Sequence, residues 1–181
     1  ESLRLAWVDP AAARTLELDD SLRRLFALSF TALFLELMVI RWAPSELRLI
    51  AYYANLLLIS SFLGLGLGAM LAASKRNLFP WFPALLALEV TVLFLCVVFL
   101  LPDSAREYRF TGTQREALNY LTLIAVFVVN AAVFVPIGQE IGRLFQVQPP
   151  LRAYSFDLGG SLLALGYIVA VAFAFSVAGP K

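Results

Sequence analysis

Apolar and polar residues in this chain fall into long blocks instead of alternating. The cleanest block is LIAYYANLLLISSFLGLGLGAMLAAS, residues 49–74, a run of 26 without Lys, Arg, Asp or Glu. A helix rises about 1.5 Å per residue and bilayer hydrocarbon is about 30 Å thick, so about 20 residues cross it. Four more blocks of sufficient length cover residues 22–42, 79–101, 117–145 and 154–177. Lipid offers no partner to a free N–H or C=O, so such blocks must be helical. The pattern predicts an all-α fold, a bundle of about five transmembrane helices over residues 22–178.

The punctuation sets the boundaries. Residues 1–21 hold Pro10 and a few apolar side chains, Trp7 among them, and read as an interfacial segment or a flexible tail. Asp20 or Ser21 is placed to cap the first span, which ends at Arg41 and Trp42. Lys75 and Arg76 end the second span, and Pro80 with Trp81 opens the third. The stretch PDSAREYRFTGTQRE, 102–116, is too polar for hydrocarbon and reads as an extramembrane loop. Pro136 interrupts the fourth span, and QVQPPLR turns the chain into the fifth.

Small residues suggest how the spans pack. Ser60, Gly64, Gly68 and Ala72 recur at every fourth position and form one smooth stripe. Such stripes let helix backbones approach where no hydrophobic force drives association. Gly138 and Gly142 in the fourth span, with Gly159, Gly160 and Ala164 in the fifth, are expected to bring those two helices together.

Ionisable residues inside a span cost about 2.5–3.5 kcal/mol on insertion scales and need a partner or a wet cavity. Counting from the first turn puts Glu36 and Asn55 at similar depth, with Arg41 and Arg48 near them. They form either an interhelical clamp or a proton or ligand site. Glu89 and Asn130 are each mid-span and are candidate partners, or the start of a relay. About the last turn, Glu140, Arg143, Arg152 and Asp157 look like a charge-balanced interfacial cluster. Asp157 also suits the first turn of a helix.

Composition narrows the chemistry. Of 181 residues, 61% are hydrophobic and 15% charged, well below the quarter usual in soluble domains. The net charge of +1 gives no electrostatic basis for nucleic-acid binding. The absence of His removes Ser-His-Asp and Cys-His catalysis and the usual zinc sites. The single cysteine, Cys96, lies in an apolar run and reads as a small buried hydrophobe. Gly64, Gly66 and Ala69 match a dinucleotide pattern, but inside an uncharged run with no strand before it. No metal, cofactor or catalytic constellation is expected, so the chain is not expected to be an enzyme on its own.

Basic residues set the orientation. Five spans put Arg4, Arg14, Arg23, Arg24, Lys75, Arg76, Arg143 and Arg152 on the amino-terminal side. Opposite them fall Arg41, Arg48, Arg106, Arg109, Arg115 and Lys181. The excess of eight over six favours a cytoplasmic amino terminus, in a bacterial plasma (inner) membrane. The opening ESLRLAWVDP has no signal-peptide pattern, and a first residue of Glu1 suggests that chain upstream has been removed or that the sequence begins mid-protein.

Three stretches together resemble a known family. They are LFLELMVIRW with Glu36 and Arg41, the glycine-patterned SSFLGLGLGAML, and FVPIGQEIGRLFQVQPPLRAYSFDLGGSLLALGYI. In the last, Pro136, Gly138, Tyr154, Asp157, Gly159 and Gly160 are similar to a proline–glycine helix, a basic turn and a Y-x-x-D-x-x-G helix start. The chain thereby resembles, over 26–168, the N-terminal transmembrane region of membrane-bound spermidine synthase-like proteins, of the polyamine aminopropyltransferase superfamily. Members usually carry a soluble Rossmann-like domain after these spans. This sequence has no counterpart to it, so the family's catalytic and donor-binding residues have no positions here. The resemblance implies the membrane part alone, and the glycine stripes, locally compensated charges and lack of catalytic chemistry point to a membrane anchor or scaffold that positions a soluble catalytic domain or partner subunit and holds membrane lipid or a small amphiphile. The alternatives are a small proton-coupled carrier built on Glu36, Glu89 and Asn130, and an accessory subunit of a larger membrane complex.

Overall fold

The computed structural model describes the backbone of residues 10–47, 50–51, 53–100 and 113–178, and most side chains within 17–176. It is all-helical, with no strand among the described residues. Five long helices follow in order: α1 Pro10–Glu46, α2 Ala54–Met70, α3 Phe82–Leu100, α4 Thr113–Val147 and α5 Pro150–Ala178. Short 3₁₀ turns at Leu71–Ala73 and Phe79–Trp81 flank the α2–α3 link. Each of the five is long and apolar enough to cross a membrane.

Three helix starts differ from expectation. Asp20 and Ser21 do not cap α1, which is continuous from Pro10. The segment PAAARTLELDD is rich in helix formers after a proline suited to the first helical position. There Asp19 pairs with Arg23 at 3.7 Å and Asp20 with Arg24 at 4.0 Å, and the Ser21 hydroxyl donates back to Leu18 O. Helix α4 takes in residues 113–116 of the expected loop, whose sequence TQRE favours helix over coil. Helix α5 begins at Pro150, four residues early, which moves Asp157 out of its first turn and out of reach of that end of the macrodipole. The rest of that loop, the segment 1–9, and Arg48, Arg106, Arg109 and Lys181 lie outside the described residues.

The chain divides into two units. One comprises Phe34–Arg143. Its core joins Ala43, Leu47 and Ile50 to Leu57 of α2, Leu93 of α3 and Val126 of α4, with Val39, Ile40, Val92, Cys96 and Val97 against it. The α2 stripe of Ser60, Gly64, Gly68 and Ala72 is buried and turned onto α4. A Cβ on Gly68 would meet Val135 O and lie 2.6 Å from Gln139 N. One on Gly138 would meet Leu65 O and lie 2.8 Å from Leu65 Cα. These helices therefore touch backbone to backbone. Gly142 completes the seam against Ala69 and Ala72. The fourth-span glycines, for which the fifth span was the expected partner, thus have their close contacts on α2, whose small-residue stripe they complete.

The other unit comprises Glu1–Leu33 and Leu144–Lys181. On α1, Leu22, Leu25, Ser29 and Ala32 are buried on one face, and on α5 Ala153 and Ala164 are fully buried. A Cβ on Gly160 would meet Phe26 O and lie 3.1 Å from Phe30 N, so α1 supplies the close partner of the fifth-span glycine. The Gln148 amide donates to Leu18 O at 3.2 Å and to the Ser21 hydroxyl.

Candidate functional site

The polar groups of unit Phe34–Arg143 occupy two levels. The first lies one helical turn from its apolar core, and the spacing along each helix puts it there. Asn130 follows Val126 by four residues, Ser60 and Ser61 follow Leu57 by three and four, and Glu89 precedes Leu93 by four. Four residues of helix rise about 6 Å, so these groups form a layer beneath the core. All are buried: Glu36 and Glu89 are 3% exposed, Ser60 and Asn130 0%.

Asn130 ties this layer to α2. Its Nδ2 donates among Leu57 O at 3.2 Å, Ser60 Oγ at 2.5 Å and Ser61 Oγ at 3.0 Å. A carbonyl can only accept, which fixes the amide with nitrogen toward α2. Both serines also donate to Leu57 O, at 2.8 and 3.0 Å.

Among the described residues of this unit, three side-chain oxygens are buried without a hydrogen-bond partner: Glu36 Oε1, Glu89 Oε1 and Asn130 Oδ1. The pair expected between Glu89 and Asn130 is thus not closed by these atoms, because Asn130 spends its donors on α2. Glu36 Oε1 likewise has no partner among the described residues; of the partners expected for it, Asn55 and Arg41 are exposed and Arg48 lies outside the described residues. Arg41 is five residues from Glu36, about 140° around the helix, and so falls on another face. An unpaired buried acceptor is costly.

The second level closes the α2–α3 link, and Gln139 is its centre. Gln139 Oε1 accepts the Leu78 N–H at 2.8 Å, while Nε2 donates to Leu71 O at 3.0 Å and Arg76 O at 2.9 Å. Arg143 reaches Ala72 O at 3.3 Å, Ser74 O at 2.9 Å and Arg76 O at 2.8 Å, and pairs with Glu140 at 3.7 Å. Carbonyls freed at a helix end carry partial negative charge, and a guanidinium on another helix answers it. Gln139 was missed in the sequence; its flanking Gly138 and Gly142 marked a close approach but not what would be held there.

Of the four charges expected to cluster, two belong to each unit. Glu140 and Arg143 belong to the level just described. Asp157 Oδ1 lies 2.5 Å from the Ser29 hydroxyl of α1, and Arg152 is exposed. Ser29 was another residue to which the sequence reading gave no weight.

An apolar groove of about 330 Å³ is lined by Leu78, Trp81, Leu85, Ala132, Val135 and Pro136. Pro136 has no N–H to give to the carbonyl of Ala132, so the α4 ladder is open inside this groove.

The spans carry many large apolar side chains on their exposed faces. On α3, Glu89 is buried while its neighbour Val90 is 58% exposed and Phe94 61%. Polar inside and apolar outside is the reverse of a water-soluble helix, and it makes the five helices compatible with membrane insertion. Comparisons of the chain with protein-family models, curated proteins and solved structures found no match.

Proposed function

We propose that this chain is an integral protein of a bacterial plasma membrane, its amino terminus cytoplasmic, acting as an anchor or scaffold for a soluble catalytic domain or partner subunit. The observation that supports it is the α2–α4 seam, closed backbone to backbone through Gly64, Gly68 and Gly138, with the adjoining link held by Gln139 and Arg143. A helix pair locked in this way holds its ends at a fixed spacing, which is what positioning a second domain requires. The resemblance to the membrane region of spermidine synthase-like proteins points the same way and is part of the proposal.

A second reading, a proton-coupled carrier, draws on the unpartnered oxygens of Glu36, Glu89 and Asn130. Affinity capture of the full chain from its native membrane, with proton flux in proteoliposomes, separates the two. The scaffold reading expects a stoichiometric partner and no flux. Capture of the chain alone, with a flux that Glu89→Gln abolishes, overturns it in favour of the carrier. An accessory role in a larger complex would appear as several membrane-embedded partners.

A further inference from the structure

We infer that the groove beside Pro136 holds one acyl chain of an anionic phospholipid whose headgroup phosphate sits on Lys75 and Arg76. The inference rests on membrane insertion, as the scaffold proposal does, but not on the scaffold role itself.

The groove runs inward from the α2–α3 link. At its outer end the Leu78 N–H meets Gln139 Oε1 at 2.8 Å, and beyond its inner end Leu93 and Val126 share a core, so α3 and α4 run antiparallel. Trp81 and Leu85 follow Leu78 by three and seven residues, while Pro136 and Ala132 precede Gln139 by three and seven. These spacings keep each set on one helix face and bring Trp81 level with Pro136 and Leu85 level with Ala132. Seven residues of helix rise about 10 Å. A volume of about 330 Å³ over that length leaves a mean section of about 30 Å². A helix about 10 Å across needs about 80 Å², so the groove admits an extended hydrocarbon chain and excludes a helix. Its lining side chains are all apolar, and Ala132 is the small one that keeps the inner end open.

The outer end is basic. Gln139, which accepts from Leu78 N–H, also donates to Arg76 O at 2.9 Å, so the Arg76 backbone is clasped beside the first residue of the groove wall. The Lys75 and Arg76 side chains are exposed, and neither has an ion pair among the described residues. No Asp or Glu occurs in the sequence between Glu46 and Glu89, and Glu140 on α4 is taken by Arg143 at 3.7 Å. Two uncompensated cations favour an anion, and a phosphodiester accepts from both. Trp81 is 65% exposed and marks the level of the headgroups, where indole rings gather. On the proposed orientation the link faces the cytoplasmic leaflet, whose anionic lipids attract such basic segments. A zwitterionic headgroup would bring its own ammonium against the two cations, and a free phosphate would leave the groove unfilled.

Trp81 lines the groove and supplies the readout. In the full chain carrying Trp7→Phe and Trp42→Phe, Trp81 is the sole indole. Reconstituted in phosphatidylcholine vesicles, it is titrated with phosphatidylglycerol or phosphatidylcholine bearing a dibrominated acyl chain. A basic residue near the membrane surface favours anionic lipid by about fivefold. Brominated phosphatidylglycerol should therefore reach half its quenching at a mole fraction at least about fivefold below that of brominated phosphatidylcholine. High salt should narrow the gap. Lys75→Gln with Arg76→Gln should bring the two lipids together with helicity unchanged. Ala132→Leu, which fills the groove and leaves both cations in place, should also erase the preference. Equal half-quenching by the two lipids in the parent chain overturns the inference, as does a preference that survives either variant. So does a Trp81 that neither lipid quenches, the result expected if protein covers the groove. A chain that stays outside the vesicles refutes membrane insertion and both proposals with it, whereas a failure confined to lipid preference leaves the scaffold role standing.

Discussion

Replacing Gly138 by alanine tests the α2–α4 seam, and Gly66 provides the control. A Cβ on Gly138 would stand 2.8 Å from Leu65 Cα and 2.9 Å from Leu65 C. Carbon pairs rest at about 3.5–4.0 Å, so the helices must part by about 0.7–1.2 Å at that point. Both atoms are backbone and cannot swing aside. Gaps of about 0.5–1 Å already forfeit a quarter to a half of each dispersion contact, and the flanking contacts of Gly64, Gly68 and Gly142 would share the loss. Overpacking of this kind costs about 1–3 kcal/mol. Gly66 sits on the same α2 helix, and its Cβ would meet nothing within 4 Å. Alanine there gains up to about 1 kcal/mol of helix propensity. That propensity gain is common to both substitutions, so the two variants should differ by the overpacking cost alone, about 1–3 kcal/mol, from one methyl group each. Unfolding in mixed micelles with rising dodecyl sulfate, followed by circular dichroism, measures it. Equal midpoints for the two, or a midpoint for Gly138→Ala at or above that of the unaltered chain, would refute the backbone-contact argument.

Other substitutions probe the polar levels. Asn130→Leu removes the donors to Leu57 O and Ser61 Oγ and should cost about 0.6–1.7 kcal/mol in the same unfolding assay, the range for interhelical polar contacts in membranes. Gln139→Leu frees Leu78 N–H, Leu71 O and Arg76 O together, and trypsin should then cut after Lys75 or Arg76 about tenfold faster, as local opening becomes about 1–3 kcal/mol easier. Arg143→Lys should not restore the resistance that Arg143→Gln loses, because an ammonium lacks the planar fork that spans three carbonyls. Ser29→Ala withdraws the hydroxyl beside Asp157 and should lower the unfolding midpoint by about 1 kcal/mol, whereas Arg152→Gln, at an exposed position, should leave it unchanged.

The five helices were legible because the signal that marks them is block length and low charge, which lipid imposes on any crossing segment. The α2 stripe was legible for a related reason: every-fourth spacing of Ser60, Gly64, Gly68 and Ala72 keeps one helix face small whatever faces it. The identity of the facing helix was not. Gly138 and Gly142 fit any close neighbour, and only the three-dimensional arrangement puts Leu65, Ala69 and Ala72 against them. Depth counting likewise gave Glu89 and Asn130 a common level but not their azimuth. Asn130 turns its donors to Ser60 and Ser61, and nothing in the spacing of the spans announces that choice. The early starts of α1 and α5 escaped notice because helices extend past the hydrocarbon, where hydropathy no longer marks them.

The turn between α2 and α3 has a consequence for any attempt to engineer the chain. Its carbonyls at Leu71, Ala72, Ser74 and Arg76 are all occupied by side chains of a single distant helix. A reporter or epitope grafted between Ser74 and Leu78 would have to displace two clasping residues at once. That tip is short, polar and outwardly inviting, yet it is among the worst places to lengthen the molecule.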